Sequence, residues 1–322
     1  MQLHRFAFRA MAAMNEVQVH APTREAASAM AARAIDEVRR IEAKYSRYQP
    51  ESVVSRVNAA AGGAPVRVDD ETMKLLDYAE TCYRQSRGLF DPTSGVLRRA
   101  WRFGPGAAPP SQEAIDALLP LIGWHRVERG RGTVRLPLAG MEIDFGGFGK
   151  EYAVDRAALV LREEGARSAL VNLAGDLAIL GPQPDGMPWR VGVRHPRMED
   201  VAIAALPVAS GAIATSGDYE RFVEADGLRH CHVLDPRTGR SARGFRSVTV
   251  HAPSCLVAGS ASTIAMLMGA EAGLAWLASL ETAHFCVLED GAIVDRFEPR
   301  VPHVPGVHGL AWKEPPGLRD KI

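Results

Sequence analysis

The residues of this 322-residue sequence best suited to chemistry lie in a glycine-rich stretch, Asp144-Phe-Gly-Gly-Phe-Gly-Lys150-Glu-Tyr-Ala-Val-Asp155. Its three glycines allow the backbone to approach a ligand closely, and its lysine places a positive charge at the start of an amphipathic helix. Because a helix N-terminus favours anions, this combination suits a phosphate-bearing cofactor, with or without a metal. The alternative is a tight strand-to-helix turn in which Lys150 faces solvent.

Two later segments place small hydroxyl residues beside glycine. In the segment 210–222, Thr215 and Ser216 precede Gly217, which suits a surface that hydrogen-bonds to a ligand, although a polar turn explains the same pattern. In the segment 258–263, hydroxyl groups open an apolar helix. They either cap that helix or point at phosphate oxygens or a metal.

A histidine, His232, lies three residues before the turn Asp235-Pro-Arg-Thr-Gly239. This spacing predicts that it lies near the end of a short strand, where it can face a cleft. A neutral imidazole there could take a proton from an attacking hydroxyl group. The alternative is a histidine with a purely structural role.

The composition is that of an ordinary globular protein. Thirty-eight basic residues balance 38 acidic ones, so there is no overall charge to attract nucleic acid or an anionic membrane. The four cysteines are scattered without metal-ligand spacing, which predicts reduced thiols in or near the core. We found neither a signal peptide nor an apolar run long enough for a membrane span, and therefore expect a cytoplasmic protein.

Hydrophobic periodicity predicts the elements that position these residues. An opening strand is expected over residues 6–21, and helices over 23–45, from Asp69 or Asp70 to Gly88, after Ser111, and from Lys150 to near Gly165. The second half is expected to contain strands at 169–173, 189–194, 245–251, 284–288 and 292–295, with helices near 259–268 and 270–280. The tail from Pro299 to Gly317 is expected to be irregular. Without regular βαβ alternation, this mixture favours an α+β fold.

In their order along the chain, these segments resemble the ApbE family, the FAD:protein FMN transferases. The resemblance covers about Ala10 to Gly269. It also rests on Tyr45–Asn58, on Phe90-Asp91-Pro92-Thr93, which matches an F-D-P-T turn, and on Val171–Asp176. The segments that begin at Thr215 and His232 match the family's motifs almost completely.

The resemblance implies an α+β fold and a flavin-transfer reaction. The fold would be a single T-fold-like domain over residues 1–322, with a mixed, largely antiparallel sheet, flanking helices and two interlocked lobes. The substrate would be FAD with Mg²⁺ on its diphosphate, and FMN would be transferred to a serine or threonine hydroxyl of a target protein, releasing AMP.

The resemblance also assigns roles to residues. His232 is the candidate base, and Lys150 is the other catalytic candidate. The Gly149 carbonyl and the Thr263 hydroxyl are the candidate metal ligands. The candidate FAD-binding residues are Met11, Tyr48, Asp91, Gly146, Gly147, Asp176, Thr215, Ser216 and Gly217.

Departures from the family pattern affect the expected metal site. Where the family usually has a metal-binding aspartate, this chain has Gly259, and where it usually has glycine after the lysine, this chain has Glu151. Glu151 or Asp144 could supply the missing charge. The alternative is a weaker site that uses phosphate oxygens and water.

Two other functions stay open on the sequence alone: an FAD-binding protein without transferase activity, and an FAD pyrophosphatase in which water replaces the acceptor hydroxyl. All of these hypotheses require Lys150 and Thr263 to face the same cavity.

Overall fold

The computed structural model describes residues 1–104 and 106–297. Its strands, in chain order, are β1 (Gln2–Ala10), β2 (Ala13–Ala21), β3 (Val66–Arg67), β4 (Glu128–Gly130), β5 (Thr133–Arg135), β6 (Ala169–Leu173), β7 (Asp176–Leu180), β8 (Trp189–Arg194), β9 (Ala202–Val208), β10 (Gly211–Gly217), β11 (Phe222–Ala225), β12 (Leu228–Cys231), β13 (Phe245–Ala252), β14 (Ala283–Leu288) and β15 (Ile293–Asp295). The tail predicted to be irregular lies outside the described residues.

The α-helices are α1 (Arg24–Tyr45), α2 (Val53–Ala59), α3 (Asp70–Gln85), α4 (Gln112–Asp116), α5 (Gly149–Glu163), α6 (Cys255–Met268) and α7 (Ala270–Ser279). Short 3₁₀ helices cover Pro92–Arg99, Leu119–Leu121 and Trp124–Arg126. This mixture of strands and helices is the α+β fold expected from the sequence.

An eight-stranded sheet in the order β1-β2-β6-β7-β10-β13-β14-β15 forms the centre of the fold, and every pairing within it is antiparallel. Alternate side chains point to opposite faces. On one face, residues such as Val171 and Val250 pack against buried side chains of α1, α5 and α6. On the other, Leu170 and Ile213 pack against the β8–β9 hairpin, which carries Trp189.

The first 21 residues form two strands, so the prediction of one opening strand is wrong. The chain reverses at Met11 and Ala12, whose φ angles are 52° and 60°. A tight hairpin turn requires this left-handed backbone, which glycine or asparagine normally supplies. Because neither residue type is present, the sequence carried no turn signal.

Helix starts were predicted well where a side chain caps the helix. Thr23, Asp69 and Ser111 each accept a hydrogen bond from the backbone amide three residues later. The start of α6 was placed too late, because its cap is Ser254. Ser260, Ser262 and Thr263 therefore lie inside the helix, and the interpretation of these hydroxyls as caps is wrong.

The segment around Thr215 is a strand in the centre of the sheet, so the alternative of a polar turn is wrong. Residues 211–217 pair with β7 on one side and with β13 on the other. The four cysteines are free and buried, as predicted. No helix among the described residues is long and apolar enough to cross a membrane.

Candidate active site

One cleft of about 2670 Å³ collects the residues that the sequence singled out. It contains both Lys150 and Thr263, so the required juxtaposition is present. The predicted site residues that line it are Met11, Tyr48, Asp91, Gly146, Gly147, Gly149, Lys150, Asp176, Thr215, Ser216, Gly217, His232 and Thr263.

Asp155 holds together the two helices that bring distant parts of the chain to this cleft. Its carboxylate lies on α5 and accepts hydrogen bonds from the amides of Cys255 (2.7 Å) and Leu256 (2.9 Å), the first two residues of α6. These amides have no partner within their own helix. The start of α6 is therefore fixed against α5, which places residues 149–151 beside residues 259–263.

We expect the substitution Asp155→Ala to lower the free energy of unfolding by about 1–3 kcal/mol, because it leaves two amides at the start of α6 without an acceptor. Urea denaturation followed by circular dichroism measures this loss. Glu163→Ala, at an exposed position of the same helix, is the control and should change stability by less than about 0.5 kcal/mol. Equal stabilities of the two variants would contradict the assigned role of Asp155.

Lys150 at the start of α5 is paired with a buried carboxylate. Its ammonium lies 2.7 Å from Asp176 Oδ2, on a side chain that is only 4% exposed. Burial lowers the pKa of Lys150, but the Asp176 carboxylate more than compensates and holds it above its ordinary value. The lysine is thus positively charged at neutral pH. Asp176 also accepts a hydrogen bond from the amide of Thr215 (3.3 Å), which connects β7 to β10.

Hydroxyl groups connect the end of β10 to α6. Ser216 Oγ lies 2.8 Å from Ser262 Oγ and 2.9 Å from Thr263 Oγ1, and Ser262 in turn donates to the carbonyl of Gly259. Thr215 Oγ1 lies 2.9 Å from Thr249 Oγ1 on β13. A polar network formed by three segments of the chain, β10, α6 and β13, therefore supports this wall of the cleft.

Two of the glycines before Lys150 lie in tight packing within the chain. A Cβ on Gly147 would lie 3.1 Å from the ring of Phe90, and one on Gly149 would lie 3.3 Å from Phe145 Cβ. No side chain caps the helix that begins here. Its first residues, Gly149 and Lys150, line the cleft, where the helix dipole favours an anion.

His232 follows β12 and faces the cleft, near the strand end where the sequence placed it. Its Nδ1 lies 3.3 Å from the carbonyl oxygen of Arg221. A carbonyl can only accept, so this contact places the proton on Nδ1 and leaves a lone pair on Nε2. Burial, together with the positive charges of Arg221 and Lys150, lowers the pKa of His232 to about 4. The imidazole is therefore a free base at neutral pH.

Two aromatic residues that sequence reasoning missed lie on the side of the cleft beside this histidine. Phe103 meets the His232 ring edge-on, with the ring centroids 6.5 Å apart, and stacks on Trp101. Both aromatic residues line the cleft. The sequence did contain a signal for them, because two aromatic residues stand together in a loop rich in glycine and proline.

The predicted flavin-binding residues differ in how free they are to contact a ligand. Tyr48 is 75% exposed, with the Arg47 guanidinium against its ring. Asp91, in contrast, is buried, and its carboxylate accepts hydrogen bonds from Thr93 and from the amide of Trp124. Asp91 thus helps to form the wall, and Tyr48 offers an open ring surface.

The donor set beside α5 consists of hard oxygens, as a magnesium site requires. Glu151 lines the cleft and is buried, and its Oε2 has no hydrogen-bond partner among the described residues. Burial raises the pKa of Glu151, and the neighbouring Asp176 carboxylate raises it further. An unsatisfied buried carboxylate oxygen fits a divalent cation. The described residues contain no group of three or more acidic, histidine or cysteine side chains arranged for metal binding, so hydroxyl, carbonyl and phosphate oxygens would have to complete the ligand set.

Comparisons with known proteins agree with this site. The sequence model of the ApbE family matches residues 11–287. The chain belongs to the ApbE family. The FAD:protein FMN transferase of Vibrio cholerae is 32% identical over 238 residues, which cover 72% of this chain and 71% of that protein. That of Treponema pallidum is 32% identical over 254 residues, or 73% and 70% of the two chains.

Solved structures from the ApbE family have the same fold. The ApbE protein of Thermotoga maritima superposes with a TM-score of 0.84 at 32% identity, covering 91% of this chain and 97% of that one. The flavinyl transferase ApbE of Pseudomonas stutzeri gives a TM-score of 0.80 at 29% identity, with coverage of 91% and 94%. The expected fold class is thereby confirmed, and the relatives with assigned activities are transferases.

Proposed function

We propose that this chain is an Mg²⁺-dependent FAD:protein FMN transferase that attaches FMN to a serine or threonine hydroxyl of a target protein and releases AMP. The observation that carries this proposal is the meeting, in one cleft, of an uncapped helix N-terminus with its lysine and of a histidine held as a free base. The names of the relatives support the same reaction. A cytoplasmic location stays a prediction.

Each part of the cleft would have a separate task in binding FAD. The N-terminus of α5 and the Lys150 ammonium would hold the diphosphate, because both offer positive charge. Tyr48 and Met11, which also line the cleft, would lie against the ring systems. Asp176 would keep Lys150 in place through their 2.7 Å ion pair.

The transfer step needs a base and a polarised diphosphate. The acceptor hydroxyl oxygen would attack the phosphorus of the FMN half, while its proton passes to His232 Nε2. The bond from this phosphorus to the bridging oxygen would break, and AMP would leave with that oxygen. Mg²⁺, held by the Gly149 carbonyl and the Thr263 hydroxyl, would neutralise charge on the diphosphate.

The direct test is incubation of the protein with FAD, Mg²⁺ and a protein or peptide that bears a serine or threonine acceptor motif. We expect a covalent, fluorescent flavin adduct and one AMP for each adduct formed. Release of AMP and free FMN without an adduct would identify a pyrophosphatase. Tight FAD binding without release of AMP would identify a binding protein, the alternative that the substitution of Gly259 for aspartate favours.

The low pKa of His232 predicts an unusual pH profile for transfer. With a pKa of about 4, roughly 97% of the imidazole is still a free base at pH 5.5, whereas a histidine of ordinary pKa 6.5 would be only about 9% free base. We therefore expect the transfer rate to fall less than about twofold between pH 7.5 and 5.5 through this group, and to fall steeply only near pH 4.

The rate of adduct formation at saturating FAD and Mg²⁺ across this pH range measures the effect. Arg221→Gln removes a positive charge that depresses the pKa of His232 but keeps the backbone carbonyl, so the acid limb should move to higher pH. A tenfold loss of rate centred near pH 6.5 in the unmodified protein would contradict the prediction.

A further inference from the structure

Gly259 on α6 faces the side chain of Glu151 on α5. A Cβ added to Gly259 would lie 2.5 Å from Glu151 Cγ and 3.0 Å from both Glu151 Cδ and Oε1. Carbon atoms that are not bonded to each other do not approach this closely, so the glutamate occupies the space that a side chain at position 259 would fill. The identities of these two residues are therefore linked by packing.

Among the described residues, the carboxylate of Glu151 has no ion pair of its own. Glu151 is 7% exposed, and its Oε2 has no hydrogen-bond partner among the described residues. The nearby ammonium of Lys150 is already paired with Asp176, whose carboxylate neighbours that of Glu151. When both carboxylates are ionised, one ammonium neutralises only one of them. A buried, unpaired charge is costly, and a cation at this position removes the cost.

Other oxygen donors lie beside this carboxylate. Thr263 follows Gly259 by four residues on α6, so the two residues lie on the same side of the helix, one turn apart. The Thr263 hydroxyl and Glu151 both line the cleft, and Gly149 is the first residue of the helix that carries Glu151. Carboxylate, hydroxyl and carbonyl oxygens form the donor set that Mg²⁺ accepts.

Asp144, the other candidate for the missing charge, is already used. Its carboxylate pairs with Arg47 and accepts a hydrogen bond from the amide of Gly146 (2.9 Å). Both of its oxygens thus have partners, in contrast to Oε2 of Glu151.

We infer that Glu151 supplies the carboxylate ligand of a divalent-cation site completed by Thr263 and Gly149, and that Gly259 is the residue that makes room for it. The inference deepens the proposed function, because it names the residue that replaces the aspartate expected at position 259. The negative charge of the site then comes from α5 instead of α6.

The test measures cation binding directly, with Mn²⁺ as the probe, followed by the loss of its free paramagnetic resonance signal, and with Mg²⁺ as competitor. The full chain is titrated with and without saturating FAD. We expect one displaceable Mn²⁺ per chain, and at least tenfold weaker binding in Glu151→Gln, which keeps the shape but removes the charge. Glu163→Gln, exposed on the same helix, should bind as the unmodified protein does.

A double variant that moves the carboxylate from α5 to α6 provides the second part of the test. In Glu151→Gly combined with Gly259→Asp, the carboxylate is moved to the other helix, and Mn²⁺ affinity should return to within a few-fold of the original. Glu151→Gly alone should bind as weakly as Glu151→Gln. Gly259→Asp alone should lower the melting temperature, because its side chain meets Glu151. Melting temperatures without metal separate loss of binding from loss of folding. That of Glu151→Gln should stay close to that of the unmodified protein, since glutamine keeps the shape of the side chain.

Unchanged Mn²⁺ affinity in Glu151→Gln, or no displaceable site in the unmodified protein, would overturn the inference. These outcomes are distinct from those for the proposed function. A protein that binds Mn²⁺ through Glu151 but forms no flavin adduct would retain the cation site and lose the transferase assignment. Conversely, if the unmodified protein transfers FMN but its Glu151→Gln variant binds Mn²⁺ normally, the transferase assignment is retained and Glu151 is not a cation ligand.

Discussion

Replacing His232 by alanine is expected to slow FMN transfer by about 10²- to 10⁴-fold, the usual contribution of a general base. The reason is that His232 lines the cleft and, with its proton on Nδ1, has a free lone pair on Nε2. FAD affinity should change little, because the expected diphosphate contacts come from α5. Single-turnover formation of the adduct measures the rate, and flavin fluorescence measures the affinity.

His230→Ala is the matched control for this variant. His230 is also half-buried and lies two residues away on β12, but it contacts Trp101 and does not line the cleft. Its removal should reduce the rate by no more than a few-fold. If the His232→Ala variant transfers FMN at the rate of the control, another group must accept the proton.

Replacing Lys150 by methionine is expected to weaken FAD binding by about 10- to 100-fold, corresponding to the roughly 1.5–3 kcal/mol of a hydrogen bond to a charged group. The substitution removes the charge at the start of α5 and leaves the Asp176 carboxylate, 4% exposed, without its cation. We therefore also expect a lower melting temperature without ligand. Equilibrium titration with FAD and thermal denaturation measure the two effects.

Lys74→Met provides the comparison, since this lysine is exposed on α3, outside the cleft. It should leave FAD affinity and melting temperature nearly unchanged. Lys150→Arg retains the charge and should keep the ion pair with Asp176, so its melting temperature should exceed that of Lys150→Met. FAD affinity that is the same in Lys150→Met and in the unmodified protein would remove the lysine from the diphosphate site.

Local signals made much of the fold predictable. Thr23, Asp69 and Ser111 have the side chains that cap helices, and the helices begin where those caps stand. The strands over Ala169–Leu173 and Trp189–Arg194 were predicted with the bounds that they have in the structure. In each case, residues within one segment determine its conformation.

The missed features depend on partners from distant parts of the chain. Met11 and Ala12 adopt a left-handed turn with no favourable residue type, and a hydrogen bond from the Met11 amide to Glu42 on α1 helps to hold it. The segment over Gly211–Gly217 is rich in small residues and is a strand because β7 and β13 pair with it. Sequence periodicity contains no information about such partners.

The candidate site, too, could be predicted from the sequence only in part. Motifs predicted which residues would approach one another, and the structure places them in one cleft. Sequence alone left Glu151 and Asp144 equally plausible as the source of a missing charge. Only the packing of Glu151 against Gly259, and the pairing of Asp144 with Arg47, distinguish the two.

The walls of the cleft come from positions as far apart as Met11 and Thr263, joined by antiparallel pairing between distant strands. During synthesis, the cleft cannot be completed until α6 has emerged from the ribosome, and before then the central sheet lacks the helix that covers β10 and β13. Chains with many such long-range contacts fold slowly and expose apolar strands on the way. Until α6 has been made, the nascent chain therefore lacks the complete cleft and leaves the apolar face of these strands uncovered.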